Sequence, residues 1–284
     1  MRKILFAALF ASVVAVAAPT EKLAMVKSAD GMDIAYETRG KGDIAVVLVH
    51  GWSCDRSYFH YQLKALAEKY RVVAVDLAGH GDSSLGRKDS TIASFGQDVA
   101  AVVKKLDLKR VVLVGHSMGG DVVVAAARLL KGRVAGLVWI DDYKDLGPPS
   151  SNAEIETFVA KFRADFPGTT DAFVRSLFRP DANPSLVRQI SRDMSSAPPL
   201  VGTTSLASSF KYAREMPGAL AELKLPVIAI NADNGPTDRV SLARHGVKAR
   251  VMVGSGHFLM LENPQKFETL LESSIRELTV KPKQ

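Results

Sequence analysis

Cysteine is almost absent from the chain of 284 residues, which holds one, Cys54. A single thiol cannot form an intramolecular disulfide, and it cannot supply the paired cysteines of a zinc site. The fold must therefore be stable through packing, and a hydrophobic content of 47% is ample for a buried core. A length of 284 residues suits one large α/β domain or two small ones.

Clustered positive charge is also missing. The net charge of +7 comes from 37 Lys and Arg residues spread among 30 acidic residues, without a basic block or an aromatic stacking motif. The sequence therefore predicts no nucleic-acid partner. Its histidines and glycines show no H-E-x-x-H spacing, no G-x-G-x-x-G register and no G-K-[ST] ending, so we expect no metal and no cofactor.

The N-terminal apolar run is too short to span a bilayer. Residues 1–17 combine Arg2 and Lys3 with an apolar run from Ile4 to about Val14 and end in the small-residue pattern Ala-Val-Ala. This arrangement is typical of a cleavable export signal. A membrane anchor is the competing interpretation, but it needs roughly 20 apolar residues. We therefore predict a periplasmic or secreted protein without stable membrane insertion after cleavage.

Short β-branched runs alternate with helical patterns along the chain, which indicates a parallel sheet covered on both faces. The runs are "IAVVLVHG" (44–51), "RVVAVDLAGHG" (71–81), "RVVLVGH" (110–116), "RVAGLVWID" (133–141), "LPVIAINAD" (225–233) and "ARVMVG" (249–254). Before them, residues 23–40 read as a hairpin that turns at Asp30-Gly31. Together these runs predict eight strands.

The alternation stops for about eighty residues between the fourth and fifth of these runs. This segment carries helical patterns of its own, broken by proline and glycine, and it is too long for a simple connection. The sequence therefore predicts a single α/β domain over residues 18–284, mostly parallel in its sheet, with a helical lid inserted at about 146–215.

A glycine-flanked serine stands between one predicted strand and the following helix. In "GHSMGG" (115–120), Gly115, Ser117 and Gly119 form the pattern G-x-S-x-G. Glycines permit a sharp strand-to-helix turn that lifts the hydroxyl clear of the sheet, and the first amides of the helix face charge that builds up beside it. We predict that Ser117 is a nucleophile, with a purely structural turn as the alternative.

A serine hydroxyl needs a base to accept its proton, and His257 is the best candidate among six histidines. His50, His80 and His116 sit in glycine turns at strand ends, where local hydrogen bonding is the ordinary role. His257 follows the last predicted strand, and the carboxyl ends of parallel strands gather at one edge of a sheet. We expect His257 to approach Ser117 there, with a packed loop histidine as the alternative.

These motifs resemble those of lid-bearing α/β-hydrolases of the carboxylesterase-like serine type, over about residues 25–278. The resemblance lies in "VHGW" (49–52), "DLAGHGDS" (76–83), "GHSMGG", "LPVIAINAD" and "GHF" (256–258). It implies the α/β-hydrolase fold and a catalytic triad of serine, histidine and an acid. It also implies an oxyanion hole built from the backbone amides of Trp52, after the His-Gly pair, and Met118, after the nucleophile.

The acid is where this chain departs from the family. Members usually show G-x-x-D after the penultimate strand, whereas residues 231–234 read Asn-Ala-Asp-Asn, with an amide at the expected position. We predict Asp233 as the acid, because a carboxylate must fix the histidine tautomer and stabilise the imidazolium. Asp142, in the place that some relatives use after the preceding strand, and Asp238 in "GPTD" are the alternatives.

The predicted activity is hydrolysis of a small, mostly apolar carboxylic ester or a related acyl compound held beneath the lid. A receptor for a small hydrophobic molecule, with slow turnover, is the alternative from a different class. Carbon–carbon bond hydrolysis or perhydrolysis would use the same three residues. The presence of the acid decides between enzyme and receptor. Loss of the acid in a serine protease lowers turnover by about 10⁴, so a chain without one would bind its ligand better than it hydrolyses it.

Overall fold

The computed structural model describes residues 22–280, which are built around one eight-stranded sheet. Its strands are β1 (Lys22–Lys27), β2 (Asp33–Arg39), β3 (Ala45–Val49), β4 (Arg71–Val75), β5 (Val111–His116), β6 (Val134–Ile140), β7 (Val227–Ala232) and β8 (Val247–Met252). Their order across the sheet is β1-β2-β4-β3-β5-β6-β7-β8. β2 pairs antiparallel with β1 and β4, and every other pair is parallel. The predicted fold class is confirmed.

Burial follows from the apolar runs that predicted the strands. Every residue of β3, β5 and β7 is buried, as expected for parallel strands with both faces covered. The two N-terminal strands form the predicted hairpin at the sheet edge, and Gly31 takes the left-handed φ of 86° in its turn.

Helices pack against the sheet in two groups. Within residues 22–280 they are α1 (His60–Leu66), α2 (Ile92–Lys105), α3 (Met118–Leu129), α4 (Asn152–Ala164), α5 (Phe166–Ser176), α6 (Pro184–Ser195), α7 (Pro199–Tyr212), α8 (Met216–Leu223), α9 (Arg239–Arg244), α10 (Leu259–Glu262) and α11 (Pro264–Thr279). Helix α2 packs against α3, and α1 packs against α11. Strand β6 contacts both α3 and α11, so the centre of the sheet is covered by both groups.

Five of these helices, α4 to α8, form an insertion between β6 and β7, which we call the helical insertion (Asn152–Leu223). Ser151 starts α4 with a capping box in which Glu154 bonds back to the Ser151 amide. Proline lies in the first turn of each of the next four helices, where its missing N–H is no loss. The segment occupies the region predicted to be a lid, and its last helix runs past the predicted end at about 215.

The predicted export signal, residues 1–17, lies outside the described residues. Among the helices between residues 22 and 280, none is both long enough and apolar enough to cross a membrane.

Candidate active site

Ser117 occupies a sharp turn between β5 and α3. Its backbone has φ 51° and ψ −129°, a combination that residues other than glycine rarely adopt. Its amide donates to the carbonyl of Ile140 on the neighbouring strand at 2.9 Å, which ties the turn to the sheet. Ser117 is also the N-cap of α3, yet its hydroxyl caps no amide. The hydroxyl is therefore available at the positive end of the helix dipole.

Glycines allow the chain segments around this turn to approach each other closely. A Cβ on Gly115 would overlap the carbonyl of Gly119, and a Cβ on Gly119 would lie 2.5 Å from the carbonyl oxygen of Val49. A Cβ on Gly51, after β3, would lie 3.2 Å from the Cβ of Ser117. The G-x-S-x-G pattern thus has a steric cause, because only glycine fits at its two ends without moving the backbone.

His257 lies in the loop between β8 and α10, and its ring is bound to a carboxylate. Nδ1 is 2.8 Å from Oδ2 of Asp141, the residue that follows β6. Since an ionised carboxylate can only accept, Nδ1 carries the proton and Nε2 is the basic nitrogen. The backbone is also held, because the His257 amide donates to Leu177 at 3.1 Å and its carbonyl accepts from Nε2 of His116 at 2.9 Å.

Asp141 is buried and ionised. Burial alone would raise the pKa of Asp141, but the hydrogen bond and charge of His257, with the charge of Lys144, hold that pKa below its ordinary value. Oδ1 accepts a hydrogen bond from the amide of Ala232 at 2.8 Å and lies 3.6 Å from Nζ of Lys144. Like Ser117, Asp141 has a left-handed backbone, with φ 44°. Such strained positions cluster at functional sites.

The structure corrects the prediction that Asp233 is the acid beside His257. The two carboxylate oxygens of Asp233 accept hydrogen bonds from the amides of Gly254 at 2.9 Å and Ser255 at 3.1 Å. Asp233 therefore orders the loop that leads to His257, and no hydrogen bond joins the two side chains.

Neither of the two alternative acids, Asp142 and Asp238, bonds to His257. Asp142 lines the cavity described below but makes no hydrogen bond with His257, whose partner is the preceding residue, Asp141. Asp238 caps helix α9 by accepting hydrogen bonds from the amides of Val240 at 3.0 Å and Ser241 at 2.9 Å.

Strand register explains why Asp141 is the partner. The last residues of β5 and β6 pair with each other, so one residue further along Ser117 and Asp141 stand level on neighbouring strands. The last residue of β6 also pairs with Ile230 of β7, and Asp233 comes three residues later, past the end of that strand. The sequence holds a hint of this register, since aligning the ends of "VVLVGHS" and "GLVWID" brings Asp141 opposite Ser117, but nothing in the sequence requires the two strands to end level.

The backbone amides of Trp52 and Met118 are free in the way an oxyanion hole requires. Within residues 22–280, neither amide donates a hydrogen bond to another group. The side chain of Trp52 is anchored in the helical insertion, because Nε1 donates to the carbonyl of Gly202 at 2.7 Å and the indole packs edge-on against Phe166 at 5.8 Å. This anchor fixes the backbone of Trp52 next to Gly51, which is close to Ser117.

These groups surround one cavity of about 190 Å³ between the sheet and the helical insertion. Its lining is mostly apolar: Trp52, Cys54, His116, Ser117, Met118, Asp141, Asp142, Phe173, Leu177, Met194, Leu206, Ser209, Phe210, His257 and Phe258. Neither Ser117 Oγ nor His257 Nε2 has a hydrogen-bond partner within the described residues. Larger grooves of about 590 and 540 Å³ lie elsewhere and hold neither residue, so this small cavity is the candidate site.

The histidines in the neighbouring turns are structural, as predicted for them. Burial, followed by the charge of His257, lowers the pKa of His116 to about 3, so it is a neutral donor to the His257 carbonyl. Burial also lowers the pKa of His50, whose Nδ1 donates to the Gly51 carbonyl at 2.8 Å and whose Nε2 accepts from the Leu77 amide at 3.1 Å. The lowered pKa makes His116 a poor base for Ser117, and both ring nitrogens of His50 are already hydrogen-bonded.

Cys54 is buried, as expected for a small apolar residue, and it also forms part of the cavity wall. Its Sγ donates to the carbonyl of Trp52 at 3.3 Å. In the part of the chain that the structure describes, no group of three or more His, Cys, Asp or Glu side chains is arranged to hold a metal ion.

The model of the alpha/beta hydrolase family matches residues 46–270, and the chain belongs to that family. A relative from Pseudomonas putida, the dihydrolipoyllysine-residue acetyltransferase component of an acetoin cleaving system, is 28% identical over 253 residues, which are 85% of this chain and 66% of the relative. The chain thus spans about two thirds of the length of that relative.

Two further comparisons extend this likeness. The non-heme chloroperoxidase of Streptomyces lividans is 38% identical over 118 residues, which are 40% of this chain and 43% of that protein. The structure of a thermophilic esterase from Thermogutta terrifontis has a TM-score of 0.78 at 23% identity, covering 91% of this chain and 100% of that one. At that identity the structural likeness establishes the fold.

Proposed function

We propose that the protein is a serine hydrolase that cleaves a small, mostly apolar carboxylic ester through an acyl-enzyme on Ser117. The observation that carries the proposal is the bond between His257 Nδ1 and Asp141 Oδ2, beside a strained serine turn that opens into the same cavity. An imidazole oriented by a buried carboxylate is the base that a serine nucleophile needs.

In this mechanism Ser117 Oγ attacks the ester carbonyl while His257 Nε2 accepts the hydroxyl proton. Asp141 keeps the proton on Nδ1 and stabilises the imidazolium that forms. His257 then protonates the leaving alcohol. A water molecule then gives a proton to the same nitrogen and attacks the acyl carbon; as the bond to Oγ breaks, His257 returns that proton to Ser117 Oγ and the carboxylic acid leaves. The negative oxygen of the tetrahedral intermediate is bound by the amides of Trp52 and Met118, and each such donor is worth about 10²–10³ in rate.

Asp141 favours the hydrolase over the receptor. A receptor needs a cavity but has no use for a carboxylate buried at the imidazole, where desolvation costs free energy. Asp141 is only 3% exposed in its side chain and is kept charged by its partners. Under this proposal Asp141 is the acid, and it follows β6 instead of β7, the strand after which the acid was predicted.

The proposal is tested with a fluorophosphonate probe and p-nitrophenyl esters of increasing acyl length. We expect the wild-type protein to be labelled at Ser117, to hydrolyse the short esters best and to lose both properties in Ser117→Ala. Activity that persists in Ser117→Ala would contradict the proposal. Labelling with negligible turnover on all esters would favour the receptor.

Perhydrolysis is a second candidate, favoured by the likeness to a non-heme chloroperoxidase over 118 residues. Hydrogen peroxide in place of water would attack the acyl-enzyme, take the acyl group as a peracid and give one proton to His257. Peracid formed from an acetate ester and peroxide is measured by iodide oxidation, with Ser117→Ala as the control. A hydrolase without this activity gives acetate alone.

We also propose that the protein is exported. The supporting observation is the pattern of charge, apolar run and small residues in residues 1–17. N-terminal sequencing of the protein from its native cell tests this proposal. We expect the mature chain to begin close to Ala18. A chain that still carries residues 1–17 would contradict export by a cleaved signal.

A further inference from the structure

Asp142 is a carboxyl group in the cavity wall that the proposed mechanism does not use. Its side chain makes no hydrogen bond within residues 22–280, and its Oδ2 is buried without a partner. Buried polar atoms almost always have a hydrogen-bond partner, because an unpaired one loses its hydrogen bonds to water without replacement. Oδ1 makes no hydrogen bond either, but it is not fully buried, so this is the oxygen that a ligand in the cavity can reach.

The turn after the nucleophile makes room for this carboxyl group. A Cβ on Gly120 would overlap Oδ2 of Asp142, so the last glycine of "GHSMGG" is needed, although the G-x-S-x-G pattern itself does not require a glycine there. The carboxyl group therefore packs directly against the first turn of α3, at Gly120. Its position in the wall is built into the fold.

Ser209, on insertion helix α7, is another polar side chain of the wall that the proposed mechanism does not use. Its hydroxyl donates to Oδ2 of Asp121 at 2.6 Å, and the hydroxyl of Tyr143 donates to Oδ1 of Asp121 at 2.7 Å. The hydrogen of Ser209 is thus already used. Its oxygen can still accept a hydrogen bond from a group in the cavity.

The groups that face Asp142 are negative or neutral. Burial first, and then the charges of Asp121 and Asp141, raise the pKa of Asp142 well above its ordinary value. No lysine or arginine is part of the cavity wall within the described residues. These surroundings favour the neutral form of the Asp142 carboxyl group, which offers one O–H donor and one carbonyl acceptor.

We propose that Asp142 and Ser209 form a subsite for a hydroxyl group, so that the substrate is a small hydroxylated ester. A hydroxyl both donates and accepts, which matches a wall with an acid O–H and a serine oxygen. This inference rests on the proposed function and adds the substrate class. The small volume of about 190 Å³ restricts it to compact molecules.

Two matched substrate sets test the subsite on both sides of the scissile bond. The first compares the p-nitrophenyl esters of butyric, 2-hydroxybutyric, 3-hydroxybutyric and 3-aminobutyric acids. The second compares propyl acetate with 2-hydroxyethyl acetate. In the wild type we expect kcat/KM for a hydroxylated ester to exceed that of its plain counterpart about tenfold in at least one set, since one hydrogen bond is worth about 1 kcal/mol or slightly more.

Three variants assign the effect to Asp142. Asp142→Leu should remove the preference, whereas Asp142→Asn should keep most of it, because the amide also offers a donor and an acceptor. Asp145→Asn, an exposed aspartate nearby, is the matched control and should leave the ratio unchanged. Thermal unfolding and fluorophosphonate labelling verify that each variant folds with a working Ser117.

The outcomes that overturn the subsite are distinct from failure of the hydrolase proposal. Equal kcat/KM within both sets in the wild type overturns the subsite, and so does a preference that Asp142→Leu retains. A preference for the aminobutyrate that Asp142→Asn abolishes also overturns it, because the subsite would then bind a cation.

If no ester is hydrolysed, the subsite is tested by binding to Ser117→Ala. Titration with 3-hydroxybutyramide and butyramide, followed by NMR, should give about tenfold tighter binding of the hydroxylated amide. The double variant Ser117→Ala/Asp142→Leu should bind both alike. Equal binding to Ser117→Ala overturns the subsite independently of turnover.

Discussion

The backbone carbonyl of Leu177 accepts a hydrogen bond from the backbone amide of His257 at 3.1 Å. Leu177 follows insertion helix α5, whereas His257 follows the last strand of the sheet. The same carbonyl also accepts from Nδ2 of Asn234 at 3.2 Å. The helical insertion therefore helps to hold the imidazole in place as well as covering the cavity. We expect changes near Leu177 to affect turnover and not only substrate binding.

Replacing Asp141 with asparagine should lower kcat on a p-nitrophenyl ester by about 10⁴, the loss known for this change in a serine protease. An amide at this position can donate to Nδ1, which favours the wrong tautomer of His257 and removes the charge that stabilises the imidazolium. Steady-state kinetics on the purified variant measure the effect.

Asp233→Asn is the matched control for this prediction, because it keeps a side chain of the same shape at the residue that the sequence favoured. It should reduce kcat far less than Asp141→Asn does. A larger loss in Asp233→Asn than in Asp141→Asn would contradict the assignment.

The sequence was sufficient for the parts of the site that local chemistry fixes. Ser117 stands in a turn that its own glycines permit, and His257 comes directly after the last strand. Asp141 was missed because its role depends on strand register, which single-chain patterns leave open by one residue. The sequence could place an aspartate after β6 but could not tell Asp141 from Asp142, whose side chains have different surroundings.

Relieving the strain at Ser117 should stabilise the protein. The φ of 51° and ψ of −129° cost about 1–3 kcal/mol for a residue with a Cβ, and glycine avoids most of this cost. We expect Ser117→Gly to exceed Ser117→Ala in free energy of unfolding by about 1 kcal/mol, measured with urea. Both variants lack the nucleophile, so the comparison isolates the backbone. Equal or lower stability of Ser117→Gly would contradict this prediction.

Removing the carboxylate of Asp233 should loosen the loop that carries His257. Two backbone amides, of Gly254 and Ser255, lose a charged acceptor in Asp233→Ala. Hydrogen bonds to charged groups contribute about 1.5–3 kcal/mol each, less where water can replace the acceptor, so we expect a loss of about 1–2 kcal/mol. Thermal unfolding measures it, and faster amide exchange at residues 254–257 should accompany it. Unchanged exchange there would contradict this role.

The buried ring of His80 should make the protein less stable in acid. Burial, followed by the charge of His50, lowers the pKa of His80 to about 3 from an ordinary value of 6.5. Between these two pH values the unfolded chain binds a proton that the folded protein does not, so stability falls as pH decreases from about 6.5 towards 3. One such group contributes a slope of about 1.4 kcal/mol per pH unit.

Urea unfolding of wild type and His80→Gln from pH 8 to pH 4 tests this prediction. The free energy of unfolding should fall less steeply with decreasing pH in the variant, by about this slope. At pH 8 the ring is neutral in both states, so the difference there reports packing alone and is subtracted. Parallel curves below pH 6 would mean that the ring accepts a proton in the folded protein.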